Sequence, residues 1–252
     1  MRVFISIVSH GHCSVINDIG VIKDLLSHFN VVIKSNKVGD DFSDYVHAEN
    51  FHWLDTHYGL GFGANNNLVF NYCARSLFMN DDDYFIVINP DVHINSIDIL
   101  ELIGKMRENN VHVSAINLFR DKEYTVFDNS IRRFPSFITF MKSILGFGNE
   151  SILNKKEIEK PVDVDWASGS FLAFLSSHYH MLDGFDERYF MYCEDIDICF
   201  RSKLLGRQVR YFPCIRAIHY AKHANRDFFS KHFLWHLSGA FRFLFLKKRI
   251  EK

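Results

Sequence analysis

Four prolines in 252 residues, no Cys-x-x-Cys pair and no apolar run long enough to cross a bilayer each close off a class of protein. The five cysteines (Cys13, Cys73, Cys193, Cys199 and Cys214) are odd in number and scattered, which argues against a disulfide scaffold and for reduced thiols in a cytosolic protein. The longest mostly apolar run, Phe233 to Leu246, has 14 residues and is interrupted by His236 and Arg242, short of the ~20 that span a membrane. The opening MRVFISIVSHGH lacks the order of basic, apolar and small residues of a secretory signal, so none is expected.

What is present is a globular composition, 48% hydrophobic and 23% charged, with 26 phenylalanines. Such a chain can bury a sizeable core and is read as one large α/β domain. Its charge is unevenly placed. Residues 222 to 252 hold eight Lys or Arg against Asp227 and Glu251, a balance of +6, while the remainder carries −7. A basic, aromatic tail on an acidic body implies an anionic partner, either phospholipid or nucleic acid.

Val3 to Ser9 is a continuous β-branched and aromatic run, as expected of a strand buried on both faces. Apolar residues at helical spacing follow from Val15 to Phe29, and Val31 to Lys34 returns as a second strand, completing a βαβ unit. Phe51 to Leu54 reads as a third strand. Tyr58 to Asn67 then forms a glycine- and asparagine-rich loop before a helix over 68 to 78. Glycines ahead of a helix leave N–H groups free for phosphate or a base edge, although a plain turn with Asn caps fits equally. The loop does not follow strand one directly, which argues against a Rossmann dinucleotide site.

Tyr84 to Ile88 is another buried strand, ending in Asn89-Pro90-Asp91. A carboxylate just past the carboxyl end of a central strand sits where open α/β sheets bind ligands and suits a hard divalent cation; the alternative is a turn aspartate after proline. A helix over 97 to 107 and a strand over 111 to 118 follow, and 120 to 160 reads as an insertion near the active site. Val162 to Leu175 is strand-like, with Gly169 permitting close backbone approach, and Gln208 to Pro213 is a short last strand, followed by His219.

Between these lies Gly184 to Arg201, GFDERYFMYCEDIDICFR, which sets Glu194, Asp195 and Asp197 among apolar and aromatic residues. Such carboxylates must find a partner or shift their pKa upward, as a general base, a metal ligand or an ion pair, or else cap a helix N-terminus.

Taken in order, the segments IVSHGH, GFGANNN, NPD, VDWASGSF, GFDERYFMYCEDIDICFR and AIHYAKHANRDFFSKHFLWH resemble those of family 2 glycosyltransferases, and most closely the O-antigen rhamnosyltransferases. The resemblance covers nearly the whole chain. It implies a GT-A fold: a Rossmann-like, mostly parallel central sheet flanked by helices over residues 1–221, with an amphipathic helical tail over 222–252. It implies Mg²⁺ or Mn²⁺ held by Asp91 and His219, with Asn89 standing where the family's first metal-site acid falls. Asp195 matches the catalytic base, with Glu194 as second choice and Asp197 as a helix anchor. Ser9, His10, Asn36 and the loop from Gly61 through Gly63 to Asn67 are implied to hold thymine and ribose, and Trp166 and Gly169 to line the acceptor side. Ser35 departs from the aspartate that members carry before that asparagine.

The implied reaction is inverting transfer of L-rhamnose from dTDP-β-L-rhamnose to a polyprenyl-diphosphate-linked GlcNAc. It is expected on the inner face of the bacterial cytoplasmic membrane, with the tail on anionic lipid and no nucleic acid bound. The rivals are another nucleotide-sugar donor, a nucleotidyltransferase, and a non-catalytic nucleic-acid module; a tail helix docked on the core or on a partner subunit is the alternative to lipid.

Overall fold

The computed structural model describes residues 1–144, 150–221 and 231–250. The first βαβ unit consists of β1 (Val3–Ser9), α1 (Cys13–Ile19), α2 (Val21–Leu25) and β2 (Asn30–Ser35). The single expected helix is broken at Gly20, which adopts a left-handed φ of 71° and serves as the C-cap of α1. There follow β3 (Phe51–Leu54), α3 (Phe62–Ser76), β4 (Tyr84–Ile88), β5 (Val92–His93), α4 (Ser96–Glu108) and β6 (Val113–Phe119). The insertion carries β7 (Ile131–Arg132) and α5 (Phe137–Ile144). The chain then runs through β8 (Val162–Val164), β9 (Trp166–Ala167), β10 (Phe171–Leu175), α6 (Ser176–Met181), α7 (Glu194–Leu204), β11 (Val209–His219) and α8 (Lys231–Ile250).

The main sheet has the order β3-β2-β1-β4-β10-β6-β11-β5, with β8 on β11. It is parallel from β3 to β4 and again between β6 and β11, while β10 runs antiparallel between β4 and β6. Because successive side chains alternate across a sheet, each apolar strand feeds two cores. Phe4, Val32, Phe85 and Val87 pack on one face with α3, α6 and α7, and Ile5, Ile33, Ile86 and Ile88 pack on the other with α1, α2 and α4.

The strand-like run over 162 to 175 is three strands, β8, β9 and β10, and two further expectations differ from the structure. The glycine loop over 61 to 67 is helix: α3 begins at Phe62, six residues early, because the Asn65 and Asn66 amides donate back to the carbonyls of Gly61 (2.9 Å) and Phe62 (3.0 Å). The last strand does not stop at Pro213. It continues to His219 through a register shift between Phe212 and Arg216, a bulge where proline's missing N–H is tolerated.

Candidate active site

That extension of β11 builds the first half of the site. Pairing of β11 with β5 sets His219 opposite Val92, and the Tyr220 N–H donates to the Asp91 carbonyl (3.0 Å). His219 Nε2 consequently lies 3.3 Å from Asp91 Oδ1. Its Nδ1 lies 3.3 Å from Asp128 Oδ2, buried and without an aligned hydrogen bond. Asp128 arrives there because its N–H donates to the Leu118 carbonyl at the end of β6 (3.0 Å). Burial pulls the imidazole pKa down, but the flanking Asp128 and Asp91 carboxylates override it and raise it to about 9. Both aspartates, although burial pushes them up, are held below the usual carboxylate range by the imidazole. Behind Asp128 lies buried Lys155, whose ammonium donates to Ser130 Oγ (2.8 Å) and the Leu118 carbonyl (3.2 Å). Burial lowers its pKa to about 7 against the opposing pull of Asp128.

The second half is the start of α7. Tyr192 and Cys193 both take left-handed φ angles (71° and 72°), uncommon for residues with a Cβ, and turn the chain into the helix. Glu194, Asp195 and Asp197 then occupy its first turn, complementing the dipole. Asp195 Oδ2 accepts from the Gly169 N–H (3.1 Å) and Oδ1 from the Ile196 N–H (2.8 Å). Glu194 is buried, and its Oε2 has no hydrogen-bond partner. Burial pushes both carboxyls up; Glu194 is raised further by Asp195, while Asp195 is drawn back by the two N–H groups and the charge of Arg132. Of the two, Glu194 is the one whose surroundings favour the neutral form more, and Asp195 the one better supplied with donors for its anion. Asp197 is the expected anchor: it bonds the Arg201 guanidinium (2.7 Å), which also donates to the carbonyls of Leu182 and Gly184.

The two halves meet across one turn. The Asn89 N–H donates to the Ser170 carbonyl (3.0 Å), one residue from the Gly169 N–H that holds Asp195. Asp91, His219 and Asp195 are thus gathered at one rim, where the carboxyl ends of β4 and β11 face the N-terminus of α7.

The remaining candidates make contacts of their own. Ser9 Oγ accepts from the His12 N–H (2.9 Å), and His10 is exposed beside it. The Asn36 amide is engaged at both ends by the main chain of Leu60 (2.8 and 2.9 Å), and Ser35 Oγ accepts from Trp53 Nε1 (2.9 Å). Asn67 receives the Phe185 N–H and the Tyr179 hydroxyl and donates to the Phe185 carbonyl and Glu187. At Gly61 a Cβ would sit 2.4 Å from the Phe190 carbonyl oxygen, and at Gly63 2.7 Å from Phe185 Cβ, so these glycines bring α3 against the segment leading to Asp195. Trp166 is buried, donating to the Arg133 carbonyl (2.9 Å) under the Arg132 guanidinium (5.2 Å). Asp128, Lys155 and Arg132 were not singled out by sequence. No local pattern marks them, since each reaches the site through a strand pairing or a fold of the insertion.

No family model matches this sequence. The rhamnosyltransferase WbbL of Escherichia coli (strain K12) is 38% identical over 98% of this chain and 94% of its own length. The chain belongs to the rhamnosyltransferase family. An N-acetylglucosaminyl-diphospho-decaprenol L-rhamnosyltransferase of Mycobacterium tuberculosis is 31% identical over 65% of the chain and 55% of its own length, so this rhamnosyltransferase spans just over half of that relative. The crystal structure of GalNAc-T7 with UDP, GalNAc and Mn²⁺ superposes with a TM-score of 0.63 at 10% identity, covering 86% of this chain and 43% of that one. At that identity the likeness speaks for the GT-A fold alone.

Proposed function

We propose that this rhamnosyltransferase moves L-rhamnose, with inversion, from dTDP-β-L-rhamnose to a polyprenyl-diphosphate-linked GlcNAc in O-antigen (lipopolysaccharide) assembly. The observation that carries the reading is an Asp195 carboxylate held by the Gly169 N–H, one residue from the contact to Asn89 beside Asp91. A carboxylate there takes the proton of the acceptor hydroxyl as that oxygen bonds to the anomeric carbon. The bond from that carbon to the diphosphate breaks with its electron pair, and dTDP leaves from the opposite face. Glu194, whose burial favours its neutral form, would spare Asp195 a second ionised neighbour. The names of the two relatives support the sugar, and the second supports the acceptor.

Among the described residues no group of three or more His, Cys, Asp or Glu forms a metal cluster. Asp91 and His219 nevertheless fit a divalent cation as two protein donors, a carboxylate and an imidazole whose other nitrogen is buried without an aligned partner. Mg²⁺ or Mn²⁺ held there would offset charge on the departing diphosphate. Ser9, His10, Asn36 and the 61–67 segment surround the nucleotide end, with Asn36 acting through Leu60. Gly169 lines the acceptor side and Trp166 braces it.

No helix of the described residues is long and apolar enough to span a bilayer. We place the enzyme peripherally on the cytoplasmic face, where its acceptor's lipid lies. Incubation with dTDP-rhamnose, Mg²⁺ and a synthetic lipid-diphosphate GlcNAc should give a rhamnosylated product and dTDP. Product only with a UDP-sugar would reject the donor, and release of pyrophosphate would mark a nucleotidyltransferase.

A further inference from the structure

Helix α8 docks one face on the domain: Phe243 is fully buried against Phe134 and Phe200, and at Gly239 a Cβ would sit 2.9 Å from the Tyr192 carbonyl oxygen. The opposite face has no such cover. Leu234, Phe241 and Phe245 recur at spacings of seven and four and share one side of the helix, with Leu234 60% and Phe245 71% exposed. Helix α5, read from sequence only as part of an insertion, extends this face. Phe137 meets Phe241 at 6.5 Å between ring centroids, and Phe137 and Ile138 are 57% and 68% exposed. Two elements about a hundred residues apart in sequence thus present neighbouring exposed apolar side chains on one surface rather than singly scattered ones. Every Lys, Arg, Asp or Glu of α8 is a cation: Lys231, Arg242, Lys247, Lys248 and Arg249.

We infer that α5 and α8 together form a single docking face for an anionic lipid bilayer. Bulky apolar side chains flanked by lysine and arginine complement acyl chains below and phosphates above, whereas a second copy of this chain would set the α8 cations against one another. The helix that carries this face also packs next to the chemistry, on its other side. Gly239 packs on Tyr192 and Cys193, the left-handed turn that leads into Glu194 and Asp195, and Trp235 lies 4.6 Å from Phe190. Seating this face on a membrane therefore holds the carboxylate pair about one helix diameter from the surface in which a polyprenyl acceptor is embedded. That benefit rests on the proposed acceptor; the docking itself does not.

The test is flotation of the full chain with phosphatidylglycerol or phosphatidylcholine vesicles, together with Ile138→Asp and Phe245→Asp, both at exposed positions. The wild type should float with phosphatidylglycerol at low salt and be released at high salt, and each variant should bind about tenfold more weakly with an unchanged thermal melt. Turnover on a GlcNAc-diphosphate acceptor with a short, water-soluble chain should be the same in all three proteins. Wild type that fails to float, or Ile138→Asp that floats as well as wild type, overturns the α5–α8 face. So does dissociation of a wild-type dimer by these variants with lipid binding unchanged, which would make the face a subunit contact. Absence of turnover on the soluble acceptor by the wild type refutes the transfer reaction instead, whatever the vesicles show.

Discussion

Two acidic clusters share this rim, and they are neutralised in different ways. Asp91 and Asp128 flank an imidazole at 3.3 Å on either side, so their charge is met by a side chain. Glu194 and Asp195 stand next to each other at a helix N-terminus, and Asp195 is met largely by backbone N–H groups of Gly169 and Ile196. A side-chain counter-charge is exchangeable: a metal ion can replace the imidazole's proton, because imidazole and carboxylate are both ligands. Backbone donors are fixed in number and direction, and they hold a carboxylate ionised without blocking its remaining lone pairs. The first arrangement suits binding of a cation and the second suits a base that must accept a proton.

Breaking each cluster separately should therefore give different defects. Asp195→Asn keeps the shape but removes the proton acceptor; kcat should fall by about a thousandfold while dTDP-rhamnose affinity, read by calorimetry, stays unchanged. A variant that retained its kcat would move the base to Glu194. Asp128→Asn leaves both proposed metal ligands in place but weakens the hold on His219 Nδ1. Mn²⁺ affinity, followed by electron paramagnetic resonance without substrate, should drop roughly ten- to a hundredfold, and unaltered affinity would show that Asp128 does not position the imidazole.

Glu194→Gln should show the smaller, pH-dependent sign of a buried carboxyl. The folded-state pKa of Glu194 lies well above 4.5, so folding favours its neutral form, and the native protein loses stability relative to the unfolded chain as pH rises from 4.5 through the folded value. The glutamine variant escapes this loss. Its melting temperature should exceed that of wild type by a few degrees at pH 8 and match it near pH 4.5; a constant difference would mean that Glu194 is not titrating. Gly169→Ala tests the backbone donor most gently. Its Cβ would meet the Phe62 ring at 3.0 Å, which should cost about 1 kcal/mol of stability and shift the pH dependence of kcat as the N–H is displaced from Asp195. A normal pH profile would place the control of Asp195 elsewhere.

Much of this was legible in the residues. The apolar runs at Val3 to Ser9 and Tyr84 to Ile88 are strands because they fill two cores at once, and hydrophobic period reports that directly. The segment from Phe62 to Asn67 was misread because glycine and asparagine favour turns locally, whereas close packing against Phe185 and Phe190 and side-chain bonds to preceding carbonyls made it helix. Pro213 was misread as a strand end because a bulge that accommodates proline depends on the neighbouring strand. Phe228 and Phe229 of the expected lipid-facing tail lie outside the described residues, and Phe243 faces the core.

By itself the sequence determined the buried strands β1 to β4 and the ordered motifs that resemble a rhamnosyltransferase, since residue type and local period are properties of the chain alone; Asp91, Asp195 and His219 were named as candidates through that resemblance. Only the tertiary structure decided that Asp128 stands behind His219, that Glu194 is buried without a partner while Asp195 is met by backbone N–H groups, and that α5 joins α8 in one surface. Those depend on distances between segments far apart in sequence, which burial and strand register set and no local pattern encodes.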